Sequence, residues 1–174
     1  MSCLFSYILA ILCGIVVLAV DQFTKYYIIS NFALGQSSEF INGFIDIIYI
    51  NNKGGAWGIL EGYTWTLLAV TAILMIVCFT LLLKLGKNNK FIFWAISLVL
   101  FGGLGNMIDR VFRDGNVIDF LHFEFYPTFP IFNVADCAVV LGAILLAVYF
   151  IYDTIKDSKQ KKNNIVENID NKND

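Results

Sequence analysis

The sequence predicts an all-α membrane protein: a bundle of four transmembrane helices with a small extracytoplasmic β-element and an interfacial loop. Composition gives the class. Of 174 residues, 58% are hydrophobic and only 15% are charged, too few charges for a soluble domain of that length. Patterning gives the count. Charge-free runs cover 3–20, 62–83 and 91–108, and a fourth apolar run, 131–152, is broken only by Asp136. Each is close to the ~20 residues that a helix needs to cross a ~30 Å hydrocarbon core.

The first helix is placed at about 3–27. It lacks a basic leading region and runs into Asp21-Gln22-Phe23-Thr24-Lys25 without a small-residue cleavage site, so it reads as a span and not as a cleaved signal peptide. The other three helices fall at about 62–84, 91–112 and 131–153. Between the first two lies EFINGFIDIIYI at 39–50, rich in Ile and aromatics, with turn signals at Asn42-Gly43 and Asn52-Lys53-Gly54-Gly55. That predicts a β-element at about 39–60. Residues 120–130, FLHFEFYPTFP, alternate in polarity, which fits a half-buried strand or a segment lying at the lipid interface. Residues 1–156 thus form a single membrane domain. The polar tail 157–174 carries few aromatics and reads as disordered and cytoplasmic.

Lysines set the expected orientation. Lys84, Lys87 and Lys90 lie in one short loop, and Lys156, Lys159, Lys161, Lys162 and Lys172 in the tail; only Lys25, Lys53, Arg110 and Arg113 fall on the opposite side. The positive-inside rule then places both termini in the cytoplasm. With that topology the embedded polar residues share one depth. Asn106, Asp109 and Arg110 occupy the outer turns of the third helix, with Asp119 just beyond. Asn133 and Asp136 open the fourth, three apart on one face, and Asp21 and Lys25 mark the outer end of the first.

Charges at such depth usually face a bundle interior or a water-filled cavity. Asp21–Lys25 and Asp109–Arg110 fit equally well as ion pairs that anchor helix ends or as parts of a site. Asp136 is different, because no cation lies within four residues of it and its partner must come from elsewhere in the fold. The outer loop can bring Asp119 to it. Two adjacent carboxylates share a proton, so one can activate water while the other protonates a leaving amine. Such chemistry needs no metal and no cofactor.

Other chemistries leave little trace. The four cysteines, Cys3, Cys13, Cys78 and Cys137, sit far apart in apolar runs and read as small buried hydrophobes. Leu12 before Cys13 argues against lipidation of this chain. His122 is the only histidine, no HExxH or GxSxG occurs, and no basic patch suggests nucleic acid. Gly102, Gly103 and Gly105 suit close helix contact better than a nucleotide site. From the residues alone, an aspartyl enzyme, a small transporter or proton pathway using the same carboxylates, and a structural membrane subunit all stand as readings.

Four motifs add a resemblance: DQFTK at 21–25, NKGGAWG at 52–58, GGLGNMIDRVFRDGNVIDF at 102–120 and FPIFNVAD at 129–136. In this order the chain resembles the lipoprotein signal peptidases (signal peptidase II), four-helix aspartyl peptidases of the bacterial cytoplasmic membrane. The resemblance implies a catalytic dyad of Asp119 and Asp136. It also implies a supporting or substrate-binding shell of Asp21, Lys25, Asn52, Gly54, Asn106, Asp109, Arg110, Asn133 and Ala135. It further implies prolipoprotein substrates cleaved before a diacylglyceryl-modified Cys, contact with membrane lipid, inhibition by globomycin-type compounds, and a β-cradle over 39–60. Two departures lie in the second motif: Lys53 stands where Thr is commoner, and Gly55-Ala56-Trp57 replaces the usual Ala-Ala-Phe.

Overall fold

A computed structural model of the chain describes residues 3–55 and 62–173. Four helices dominate: α1 (Cys3–Asn31), α2 (Thr64–Lys84), α3 (Lys90–Phe112) and α4 (Val134–Asn173). All four are long and apolar enough to cross a membrane. Three strands, β1 (Ser37–Ile41), β2 (Ile45–Asn52) and β3 (Val117–Phe123), form one antiparallel sheet in the order β1-β2-β3. The expected residues 56–60 of the β-element, Trp57 among them, lie outside the described residues.

α3 is the central helix, touching α1, α2 and α4. Its buried residues Ile92, Ala95, Ile96, Leu98, Gly102, Gly105 and Asp109 recur at three- and four-residue spacing and so share one stripe. Asn89 starts it, its side-chain oxygen accepting from the N–H groups of Phe91 (3.0 Å) and Ile92 (3.2 Å). Glycines in the stripe set the approach to α4 and α1. A Cβ on Gly102 would stand 2.5 Å from the Ala135 carbonyl oxygen, and one on Gly105 would stand 2.6 Å from Asp21 Oδ2. α2 packs on α3 and buries none of its own residues. Its apolar surface therefore faces outward, as a lipid-facing helix requires.

The sheet caps the opposite end of the bundle from the Lys84–Lys90 connection. Its hairpin turns at Asn42-Gly43, where Gly43 takes a φ of 72° that suits glycine. β2 pairs with β3 so that Ile50 opposes Asp119 and Asn52 opposes Val117. Ile28 of α1, Tyr49 of β2, and Ile118 and Phe120 of β3 form a buried cluster that fastens the sheet to α1.

Three element boundaries differ from the sequence reading. α1 runs past 27 to Asn31, so Asp21 and Lys25 lie within the helix and not at its end. α4 begins at Val134 and not 131, because Phe132 pairs with β3: Phe132 N–H donates to the Leu121 carbonyl (3.0 Å), and Leu121 N–H donates back (2.8 Å). At its far end α4 runs on to Asn173, across the tail read as disordered from 157. No Gly or Pro follows Gly142 to stop it.

Candidate active site

The polar residues picked out in the sequence collect where α1, α3 and α4 meet the sheet. Asp21, Lys25, Asp109, Asp119 and Asn133 are all buried there. The fold separates them into two carboxylate pairs.

The first pair, Asp21 and Asp109, closes on Lys25. The Lys25 ammonium lies 2.9 Å from Asp21 Oδ2 and 2.9 Å from Asp109 Oδ2, with all three side chains at 0% exposure. Gln22, which the sequence reading passed over, donates from Nε2 towards Asp21 Oδ2 (3.1 Å), the Gly105 carbonyl (3.1 Å) and Asp109 Oδ1 (3.2 Å). Arg113 adds a second cation at 3.3 Å from Asp109 Oδ1. Arg113 lies in the turn that follows α3, partly exposed, and its side chain folds back four residues onto Asp109. The Asp109–Arg110 pair does not form, because Asp109 faces α1 while Arg110 turns to the cavity.

The second pair, Asp119 and Asp136, meets neutral donors. Asn133 Nδ2 donates to Asp119 Oδ1 at 2.6 Å, and Asn52 Nδ2 to Asp119 Oδ2 at 2.7 Å. Asn106 Nδ2 donates to Asp136 Oδ1 at 2.7 Å. The N–H of Asn133 reaches Asp136 Oδ2 (3.0 Å), while Asp136 N–H donates back to Asn133 Oδ1 (2.9 Å). That exchange is a capping box, with Asn133 capping α4 and Asp136 three residues on. One residue, Asn133, therefore holds both carboxylates.

Asn52 is itself oriented by its loop, its Oδ1 accepting from the N–H groups of Gly54 and Gly55 at 2.9 Å each. Gly55 has a φ of 74° there, and Gly54 is buried beside it. Ala135 has no exposed surface and its N–H donates to Asp21 Oδ1 (2.9 Å).

Both carboxylates open into one cavity of about 470 Å³. Asn52, Asn106, Arg110, Asp119 and Asp136 line its polar side, and Phe129, Ile131, Val139 and Val140 are among its apolar walls. Arg110 Nε is buried and has no hydrogen-bond partner among the described residues. Burial raises the Asp119 carboxyl from the ordinary 3.8 to about 7, and the Asp136 carboxylate adds to the rise; Asn52 and Asn133 oppose it by donating to the ionised form. Asp119 can therefore carry or release a proton near neutrality.

Among the described residues no group of three or more His, Cys, Asp or Glu side chains is arranged to hold a metal ion. His122 lies away from the cavity, opposite Asp46 in the β2–β3 register, with its Nδ1 4.0 Å from Asp46 Oδ2.

Comparison with known proteins settles the family. The profile for Signal peptidase (SPase) II matches residues 13–152. The chain belongs to the signal peptidase II family. It is 42% identical over 143 residues to a lipoprotein signal peptidase of Enterococcus faecalis, covering 82% of this chain and 87% of that one. To a lipoprotein signal peptidase of Bacillus pumilus it is 40% identical over 151 residues, covering 86% and 94%. Two solved bacterial membrane enzymes, at 2.3 and 1.9 Å resolution, share the fold with TM-scores of 0.79 and 0.76. Each is 39% identical to this chain over 83% of its length, and the match covers 88% and 93% of those enzymes. As a member of the signal peptidase II family with four apolar helices, the protein is a multi-pass bacterial membrane protease.

Proposed function

We propose that this protease removes signal peptides from prolipoproteins by cleaving before the diacylglyceryl-modified cysteine, with Asp119 and Asp136 as the catalytic dyad. The supporting observation is the single cavity into which both carboxylates open, bridged by Asn133. The names of the relatives support the substrate class.

In this reading the scissile peptide lies across the dyad and the two carboxyls share one proton. The ionised member takes a proton from a water as its oxygen attacks the scissile carbonyl carbon. The protonated member gives its proton to the carbonyl oxygen. Collapse of the tetrahedral diol then breaks the C–N bond, with a proton passing to the departing amine of the cysteine. A carboxyl with a pKa of about 7, like Asp119, suits this exchange at neutral pH. Arg110, with its buried Nε unpaired among the described residues, is positioned to donate to substrate carbonyls. The apolar walls suit the acyl chains and would also accept globomycin-type inhibitors. Lys53, exposed beside Asn52, belongs to the rim where lipid phosphates pass.

The lysine distribution supports an orientation with both termini cytoplasmic and the cavity at the extracytoplasmic face. There water can reach the bond while lipid tails stay in hydrocarbon. A transport role is less well supported. Apart from Ser97, the buried polar side chains among the described residues are all at the cavity end, and a pathway needs polar groups through the midplane.

The test is cleavage of a lipidated prolipoprotein in detergent, followed by gel shift. Asp119→Asn and Asp136→Asn should each lose about 10³-fold or more in turnover while remaining folded. Near-parental turnover in either variant would remove that residue from the dyad.

A further inference from the structure

Lys25 does not line the cavity, yet its ammonium is connected to both aspartates. Its three N–H bonds have three acceptors: Asp21 Oδ2 and Asp109 Oδ2 at 2.9 Å, and Asn106 Oδ1 at 3.0 Å. Each acceptor continues towards the dyad. The other oxygen of Asp21 takes the N–H of Ala135 (2.9 Å), the residue before Asp136. Asp109 Oδ2 takes the N–H of Ile118 (3.2 Å), the residue before Asp119. Asn106 donates directly to Asp136 (2.7 Å).

We propose that Lys25 is a positioning residue for the reaction, a single ammonium that fixes the separation of Asp119 and Asp136 and the direction of the Asn106 amide. The inference rests on the dyad reading above.

An amide side chain can present either its oxygen or its NH₂ group to a neighbour. The ammonium has only protons to offer, so it forces the Asn106 oxygen towards itself. Asn133 Nδ2 donates to the same oxygen at 3.0 Å and reinforces the choice. The Asn106 NH₂ must then face Asp136. Without Lys25 the amide is free to turn and place its oxygen against the carboxylate.

A plain helix anchor would require only the i,i+4 pair with Asp21, near solvent. Here the ammonium is fully buried, and a buried ion pair contributes little net stability for its desolvation. Three directional arms ending one residue from, or directly on, each aspartate supply geometry instead. Lys25 has no proton left over for substrate, which separates it from a catalytic residue. The charged groups of this region are Asp21 and Lys25 on α1, Asp109, Arg110 and Arg113 on α3, Asp119 on β3 and Asp136 on α4.

The experiment compares the full-length parent with Lys25→Met and Asn106→Asp in detergent, measuring kcat, KM, the pH–rate profile and Tm on a lipidated prolipoprotein. Lys25→Met should lower kcat on the order of 100-fold. KM should stay within about threefold, since the substrate walls are untouched. Its pH–rate profile should also move to higher pH, because a positive charge has left. Asn106→Asp keeps an acceptor for Lys25 but replaces the NH₂ with a carboxylate oxygen beside Asp136. Its profile should move up by about one pH unit.

A folded Lys25→Met enzyme with parental kcat and pH profile, reduced only in Tm, overturns the inference. If Lys25→Met does not fold, Lys25→Arg decides: it keeps the charge but not the three-armed geometry, and parental kcat with an unmoved profile overturns the inference equally. Asp119→Asn and Asp136→Asn run in the same assay separate the two levels. Turnover in either breaks the dyad reading itself. Inactivity of both, with unmoved profiles in the other variants, breaks only the role of Lys25.

Discussion

Two pairs of aspartates, all buried but the half-buried Asp136, sit at the same end of this bundle and are treated in opposite ways. Asp21 and Asp109 meet full charges, the Lys25 ammonium at 2.9 Å and the Arg113 guanidinium at 3.3 Å. Asp119 and Asp136 meet amide N–H groups alone, at 2.6 to 3.0 Å. Amides orient a carboxylate without neutralising it. The first pair is therefore held as part of the scaffold, while Asp119 of the second pair is left able to take up a proton. For Asp119 burial outweighs both its amide donors and the more distant Lys25 charge, so its carboxyl is raised.

Breaking the scaffold pair should have the largest effect on stability. Asp109→Ala leaves Lys25 and Arg113 short of a partner and frees the N–H of Ile118. It should cost roughly 3–5 kcal/mol, seen as a large fall in Tm in detergent. The reactive pair should respond with the opposite sign. The Asp119 carboxyl is raised in the folded protein, so the native state binds more protons than the unfolded chain between pH 3.8 and about 7. Its ionisation therefore erodes stability as pH rises through that window, and the loss is complete above it. Asp119→Asn removes the loss. The variant should gain about 1–3 kcal/mol over the parent at pH 8 and progressively less towards pH 4. Paired melting curves at several pH values check both the gain and its slope. A smaller change, remote from both pairs, calibrates them. Asn89→Ala should cost about 1 kcal/mol through loss of the α3 cap and leave the pH–rate profile unchanged.

The four spans were legible because lipid exposure imposes long runs without charge, and a run of that kind needs no knowledge of partners. The hairpin turn at Asn42-Gly43 was legible from local chemistry for the same reason. Side-chain partnerships were not. Lys25 and Asn106 are 81 positions apart, and Gln22 and Asp109 are 87 apart. No local pattern told Gln22 from any other polar residue in a helix. The turn at Arg113 gives no sign in the sequence that its guanidinium reaches back to the buried Asp109. The spacing of Asn133 and Asp136 put them on one helix face, but with the helix started at 131 it did not show that Asn133 caps α4 or that it also reaches Asp119. The start of α4 was missed because Phe132 pairs with a strand that the alternating segment only hinted at.

The Leu121–Phe132 bridge has a practical consequence. It joins the chain to itself on the near side of both aspartates, so their spacing is written into two main-chain hydrogen bonds and not into the length of the loop between them. Residues Tyr126, Pro127 and Thr128 at the exposed apex of that loop are thereby insulated from the geometry of the proposed dyad. A short insertion there gives a place to attach a fluorophore or an affinity tag.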